Sequence, residues 1–511
     1  MGFLKSRHSE IYTFLLCFIA LGLPNLNVMM SIGTILLFAY WLVFPGPRGA
    51  LEILKQNKVA LLLIGLFALH ILWLFNTSDF QYAFKDLRIK LPLLILPLVI
   101  GSIYVGRAQL KLIFLALSIG IWVACVGVYF NYFSAGVEPE NFRDLVQGIS
   151  HIRLSLMMIL LIVAIGYFWK ELNPVLKVYG AVSILNALVF LNLIQSVTGV
   201  ITFFTVLVFL LLWWSFRHFS AQKKTAISIG VILALGAVAY FSADYYTRYF
   251  TSNRNLSNLD AHTERGNPYN HLRDVGIVEN GSYTFIYVCT PEMVEAWNER
   301  SDLQIDPNTP EGQNTIAVLT RYLTSKGLRK DYAGVMELTA EDLENIEKGI
   351  PSVIYAQKSG LALRYHALMF SYHAYEKTGN AVGLSLFQRF EYWKVAVAII
   401  AENPVLGVGT GDVKKEFKAM HATLHPEWPD RFRLRAHNQF LAFFVAFGVF
   451  GLVYFLALFA LAFRWNMDNG LAVSFFALAA LSCITEDTLE TQAGVTFFAF
   501  FFALLSNRHS K

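Results

Sequence analysis

The chain has 511 residues, of which 56% are hydrophobic, 15% aromatic and only 15% charged, with a formal net charge of +5. Soluble domains carry roughly 25% charged residues, and a chain this apolar cannot hide its surface around one soluble core. The small positive excess sits in short loops, which speaks for membrane topology rather than nucleic-acid binding.

Apolar runs near the ~20 residues that a helix needs to cross the hydrocarbon recur along the chain. In order they predict spans at 10–24, 29–44, 59–75, 88–104, 110–133, 153–169, 178–194, 197–216, 225–242, 436–463, 469–485 and 491–507. Lys5 and Arg7 precede the first run as they would in a signal peptide. The run continues past Pro24, Asn25 and Asn27 without a small-residue cleavage site, so it reads as a retained span followed by a turn. The 436–463 run is long enough to tilt or to project beyond the bilayer.

Between the ninth and tenth spans the apolar pattern stops, and 253–363 reads as a soluble subdomain. Ser282–Cys289 alternates with β-branched and aromatic residues, as a short strand does. Asn314–Leu323 has the pattern of an amphipathic helix ending near Gly327. Thr339, followed by Glu341 and Asp342, has the form of a helix N-cap. The expected class is therefore an all-α polytopic membrane protein of about twelve spans with one large insert. Its expected divisions are 1–242 (spans one to nine), 243–435 (insert) and 436–511 (spans ten to twelve).

Lysine and arginine set the expected orientation. With the N-terminus in the cytoplasm, cytoplasmic loops hold Arg48, Lys55, Lys58, Arg107, Lys111, Lys170, Lys177, Arg217, Lys223, Lys224 and Arg464. The opposite loop at 195–196 has no positive charge, and 486–490 carries Glu486, Asp487 and Glu490. This pattern places both termini inside and the insert outside. Two outside edges break it: Lys85, Arg88 and Lys90 on one, Arg143, His151 and Arg153 on the other. Lipid headgroups and snorkelling account for such charges, and so does an anionic substrate held at that face.

The four cysteines, Cys17, Cys125, Cys289 and Cys483, form no CxxC or Cys/His ligand spacing, so neither zinc nor a disulfide framework is expected. Three polar stretches stand where polarity is expensive. In the first, Arg389 and Trp393 lie four residues apart on one helix face, ahead of Asn403-Pro-Val-Leu-Gly-Val-Gly-Thr-Gly-Asp412. Gly407, Gly409 and Gly411 let that backbone approach a neighbour closely, in neither the dinucleotide-binding nor the Walker pattern.

In the second stretch, His437 stands where a polar loop becomes a span, behind a rim of Arg431, Arg433 and Arg435 and before Asn438 and Gln439. An imidazole titrates near neutrality and can take a proton from a hydroxyl, and guanidiniums can hold a diphosphate with forked hydrogen bonds. A hydrogen-bonded structural histidine is the alternative. In the third, Glu486, Asp487 and Glu490 can orient the histidine, pair with the arginines or form a solvated turn; their spacing is no characteristic metal-ligand set. Span centres are largely free of charge, with Asn186, Asn192 and Gln195 as minor polar exceptions, which favours chemistry at one face over transport.

The Arg389…Trp393 helix, the Asn-Pro-x-x-Gly-x-Gly-x-Gly turn and the His437-Asn438 helix mouth resemble the core of the bacterial O-antigen ligase and polymerase superfamily. Glu486-Asp-Thr-Leu-Glu490 and Gly494 resemble its C-terminal spans, so the resemblance covers about 385–505 in detail. It implies a GT-C-like glycosyltransferase of the inner membrane, working at the periplasmic face without metal or other cofactor. The implied partners are the bilayer, a glycan donor on undecaprenyl diphosphate and an acceptor hydroxyl such as a lipid A-core sugar, with no nucleic acid.

The resemblance also implies roles. His437 is the base or acceptor-orienting group; Arg389 holds the donor diphosphate, with Arg153 at the membrane edge, Arg88 as its substitute and Arg435 beside them; Trp393, Asn438, Glu486 and Asp487 give support. An insert larger than in many ligases points to an unusual acceptor. A polymerase or a protein-glycosylating ligase of the same superfamily, and a transporter of a polyprenyl-linked or anionic solute, remain as alternatives.

Overall fold

The computed structural model describes residues 8–44, 46–134, 145–146 and 148–507. Lys5, Arg7, Arg143 and the last residues of the C-terminal tail lie outside them, as does the Arg48 side chain. The described chain is mostly helical, with almost no sheet. Seven helices are long and apolar enough to cross a membrane: Lys58–Asn76, Arg107–Ser134, His151–Glu171, Pro174–Leu193, Val197–His218, Ala221–Phe250 and Gln439–Trp465. His8–Gly22, Asn27–Val43, Gly470–Thr485 and Gln492–Ser506 are shorter apolar helices.

Side-chain caps define many of the helix starts. Asn57, Asp79, Asn173, Asn438, Asn469 and Thr491 each accept a main-chain N–H from the first turn that follows. Each cap satisfies a donor that the helix itself leaves unpaired.

The chain divides into two compact units, one of residues 1–214 and 389–511, the other of 215–388. Residues 389–435, read from the sequence as part of the insert, thus pack with the first unit.

In the first unit the Gln492–Ser506 helix, with its run of phenylalanines, is buried along its length. It packs against Pro92–Ile100, Lys58–Leu72 and Gly470–Thr485. The span expected at 88–104 takes another form. A polar helix, Phe80–Lys90, ends at Leu91, and a nine-residue helix, Pro92–Ile100, starts there. Pro92 lacks the N–H that would carry the first helix onward, and Asp86 and Lys90 are buried as an ion pair.

The long Gln439–Trp465 helix is also not continuous. Gly448 breaks it with φ 61° and ψ −156°. The 403–412 loop fills the break: Val408 N–H donates to Val445 O at 2.8 Å, Gly409 N–H to Ala446 O at 2.9 Å, and Val449 N–H to Pro404 O at 3.0 Å. A Cβ on Gly448 would fall 2.0 Å from Val405 O, and one on Gly409 would fall 1.9 Å from Asn76 O. The glycines are therefore the condition for this close approach. Trp73 Nε1 donates to Leu406 O at 2.6 Å, and Asp412 accepts from Ser78 N–H at 2.6 Å, tying the loop to 73–79 as well. Irregular backbone within a membrane protein survives when protein groups satisfy it, as they do here.

In the second unit the Ala221–Phe250 and Gly360–Thr378 helices are joined by hydrogen bonds between Tyr245 and His366 (3.0 Å) and between Tyr246 and His373 (2.8 Å). A small helical subdomain has a core of Trp297, Leu319, Tyr322 and Leu323. Thr339 and Asp342 close a reciprocal capping box, and the amphipathic segment forms the helix Pro310–Ser325. The strand expected at Ser282–Cys289 is reduced to Ser282–Tyr283, paired antiparallel with Val278–Glu279. A turn beginning at Thr284 ends the extended run.

Candidate functional site

His437 itself has φ 47°, a left-handed conformation uncommon for a residue with a Cβ. Both flanking peptide groups are held. Trp393 Nε1 donates to Ala436 O at 3.0 Å, and Asn438 N–H donates to Asp487 Oδ1 at 2.8 Å. The Asn438 side chain then accepts Leu441 N–H at 3.1 Å and starts the next helix. The backbone strain is thus over-determined by two hydrogen bonds from other elements.

The histidine ring lies against Tyr392, with centroids 5.8 Å apart. Its Nδ1 lies 3.5 Å from Glu486 Oε2, while the other oxygen of Glu486 meets Arg389 Nη2 at 2.5 Å. The charge found beside the ring is therefore a carboxylate, one of the placements the sequence left open for the 486–490 acids. Burial pushes Glu486 upward, but the contacts with His437 and Arg389 outweigh it and hold the carboxyl below the usual glutamate range. Asp487 is raised, because burial outweighs the attraction of Arg435 and His437.

A second network lies beside the first. Arg435 Nη1 meets Glu490 Oε2 at 2.7 Å, and Lys90 Nζ meets the same oxygen at 3.2 Å and Asp86 Oδ1 at 2.6 Å. Gln439 donates to Glu490 at 3.3 Å and accepts Leu489 N–H at 2.8 Å. Burial would raise Glu490, yet Lys90 and Arg435 together hold it far below its ordinary value. Glu486, Asp487 and Glu490 thus face three different sets of partners.

A cleft of about 380 Å³ opens at this place, lined by Tyr82, Lys85, Lys414, Arg433, Arg435 and His437 among others. His437, Arg435 and Asp487 reach the cleft; Arg389 and Trp393 stand behind it, through Glu486 and Ala436. Arg153, in the first turn of its helix, packs its guanidinium over Gly494, where a Cβ would lie 3.3 Å from Nε. It also interacts electrostatically with Glu486 and Asp487. Arg88 is exposed and does not line the cleft; Lys85 of the same helix lines it instead, while Lys90 is buried against Asp86 and Glu490.

Sequence reasoning passed over Asp86 and Tyr392 as site residues and named Lys90 only among the cations of an outside edge. The i,i+4 spacing of Asp86 and Lys90 was a usable signal. The pairing of Lys90 with Glu490, 400 residues away in the chain, had none.

The O-antigen ligase family model matches residues 351–456. The match includes the Ser385–Glu402 helix that carries Arg389 and Trp393, the glycine loop and His437, and it supports membership of the O-antigen ligase-like superfamily. Members of that family are ligases or polymerases acting on lipid-linked glycans. No curated protein matches the chain.

Proposed function

We propose that this protein is a glycosyltransferase of the O-antigen ligase type, moving a glycan from undecaprenyl diphosphate to an acceptor hydroxyl at the periplasmic face of the inner membrane. The observation that carries the reading is the placement of His437. It borders a cationic cleft, its two flanking peptide groups are held from other elements, and its Nδ1 faces a carboxylate.

In this reading Glu486 orients the imidazole through Nδ1, which leaves Nε2 to take the proton of the acceptor hydroxyl. The acceptor oxygen forms its bond to the anomeric carbon of the donor sugar. The bond from that carbon to the diphosphate oxygen breaks, and the electron pair leaves with undecaprenyl diphosphate. Charge grows on that oxygen in the transition state, so Arg389 and Arg153 contribute more there than in the ground state. Glu486 meets both His437 and Arg389 and keeps the base and the cation in one register. No step draws on a metal.

The test is complementation of a deletion strain with wild type, His437→Ala and Arg389→Ala at matched membrane levels. Loss of surface glycan with long chains left on the lipid carrier supports a ligase. Accumulation of single repeats replaces it with a polymerase. Normal glycan in both variants removes the enzyme reading.

A further inference from the structure

The cleft beside His437 contains more positive charge than the transfer step uses. Lys85 projects from the Phe80–Lys90 helix and Lys414 from Val413–Leu424; both are exposed, and neither has an ion pair among the described residues. The acids that share the cleft are committed elsewhere: Asp86 to Lys90 at 2.6 Å, Glu490 to Arg435 at 2.7 Å, and Asp487 to the Asn438 N–H at 2.8 Å. Arg433 adds a buried Nε with no hydrogen-bond partner. Tyr82 supplies an aromatic wall of the kind on which a sugar ring packs.

These cations are not in the Arg389 group. Arg389 meets Glu486 away from the cleft, and His437 stands between the two on the other carboxylate oxygen. Lys85 also belongs to the outside edge whose positive charge breaks the topology rule. An uncommitted ammonium pair, an aromatic wall and a base at one end describe a pocket for a charged sugar with a hydroxyl to give up.

We propose that the cleft seats an acidic substituent, a phosphate or a carboxylate, on the acceptor glycan, with Lys85 and Lys414 as its counter-ions; this rests on the transferase reading above. The enzyme then selects acidic acceptors over neutral ones, and the selection is separate from recognition of the donor diphosphate.

The test uses the full-length protein in nanodiscs and the acceptor lipid extracted from a strain lacking this gene. Binding is measured by thermophoresis for the native lipid, for the same lipid dephosphorylated with hydrofluoric acid, and for the lipid after carboxyl reduction. Wild type is expected to bind the native lipid about tenfold more tightly than one of the neutralised forms, and which form loses affinity identifies the anion. Lys85→Gln/Lys414→Gln should lose that preference, and Lys85→Arg/Lys414→Arg should keep most of it. Equal binding of native and neutralised lipids by wild type overturns the proposal. So does a double variant that weakens the donor and leaves the acceptor untouched. Turnover is read in parallel: acceptor selectivity without any transfer sinks the transferase reading and leaves the anion site in place.

Discussion

The main-chain N–H of Asn438 donates to the carboxylate of Asp487 at 2.8 Å, across 49 positions of sequence. This bond fixes the peptide on the C-terminal side of His437, as Trp393 fixes the one before it. Asp487→Ala should therefore slow transfer by about 10²-fold, the scale of a small misplacement of a reacting group. Donor binding should stay near wild type. Asp487→Asn keeps an oxygen for the same N–H and should recover part of the rate. Steady-state kinetics on purified variants separates these outcomes, and equal rates in the two variants would remove the positioning role.

The break in the Gln439–Trp465 helix makes a second prediction. Gly448→Ala forces a Cβ to within 2.0 Å of Val405 O and asks a residue with a side chain to hold φ 61°. Strain of that kind costs on the order of 1–3 kcal/mol before the clash is counted. The variant should melt earlier in detergent and reach lower membrane levels. Gly230→Ala, where a Cβ meets nothing within 4 Å, is the control and should behave as wild type.

Lys90 is the deepest cation of the site, with 1% of its side chain exposed. Lys90→Met leaves Asp86 and Glu490 without it, and breaking a buried pair from one side costs about 3–5 kcal/mol. A large drop in thermal stability is expected. Lys90→Met/Asp86→Leu, which removes the partner as well, should recover part of it. A single variant as stable as wild type would show that the network carries little energy.

The pH dependence of the second unit follows from two histidines. Burial lowers His366 to about 4, helped by Lys358 and Arg321. Burial likewise lowers His373 to about 4, helped by Lys377 and opposed by Glu376. Both values lie below the ordinary 6.5, so over this window the unfolded state binds more protons and stability rises with pH. The contacts of the Gly360–Thr378 helix should be intact above pH ~6.5 and weaken as pH falls toward ~4. Hydrogen exchange in that helix, measured across the window, checks this. His373→Asn should flatten the response.

Much of the architecture was legible because it depends on local pattern. Apolar runs, caps such as Thr339 and the turn at Pro24 announce themselves within a few residues. That Arg389 and Trp393 share one helix face was legible from their spacing of four residues. Three features were not. The Lys90–Glu490 pair joins segments 400 residues apart, and no local pattern reports such a pairing. The break at Gly448 exists because a distant loop enters it, so the apolar run reads as continuous. Arg88 and Lys85 are alike in sequence, and only the rotation of the Phe80–Lys90 helix puts Lys85 in the cleft and leaves Arg88 outside.

The most direct measurement is single-turnover transfer by purified protein, with a lipid-linked donor and the acceptor lipid, comparing wild type with His437→Ala. Loss of a positioned general base should cost roughly 10²–10⁴-fold in the transfer rate, with donor binding retained. A His437→Ala enzyme within a few-fold of wild type would contradict the assignment of His437 as the group that takes the acceptor's proton.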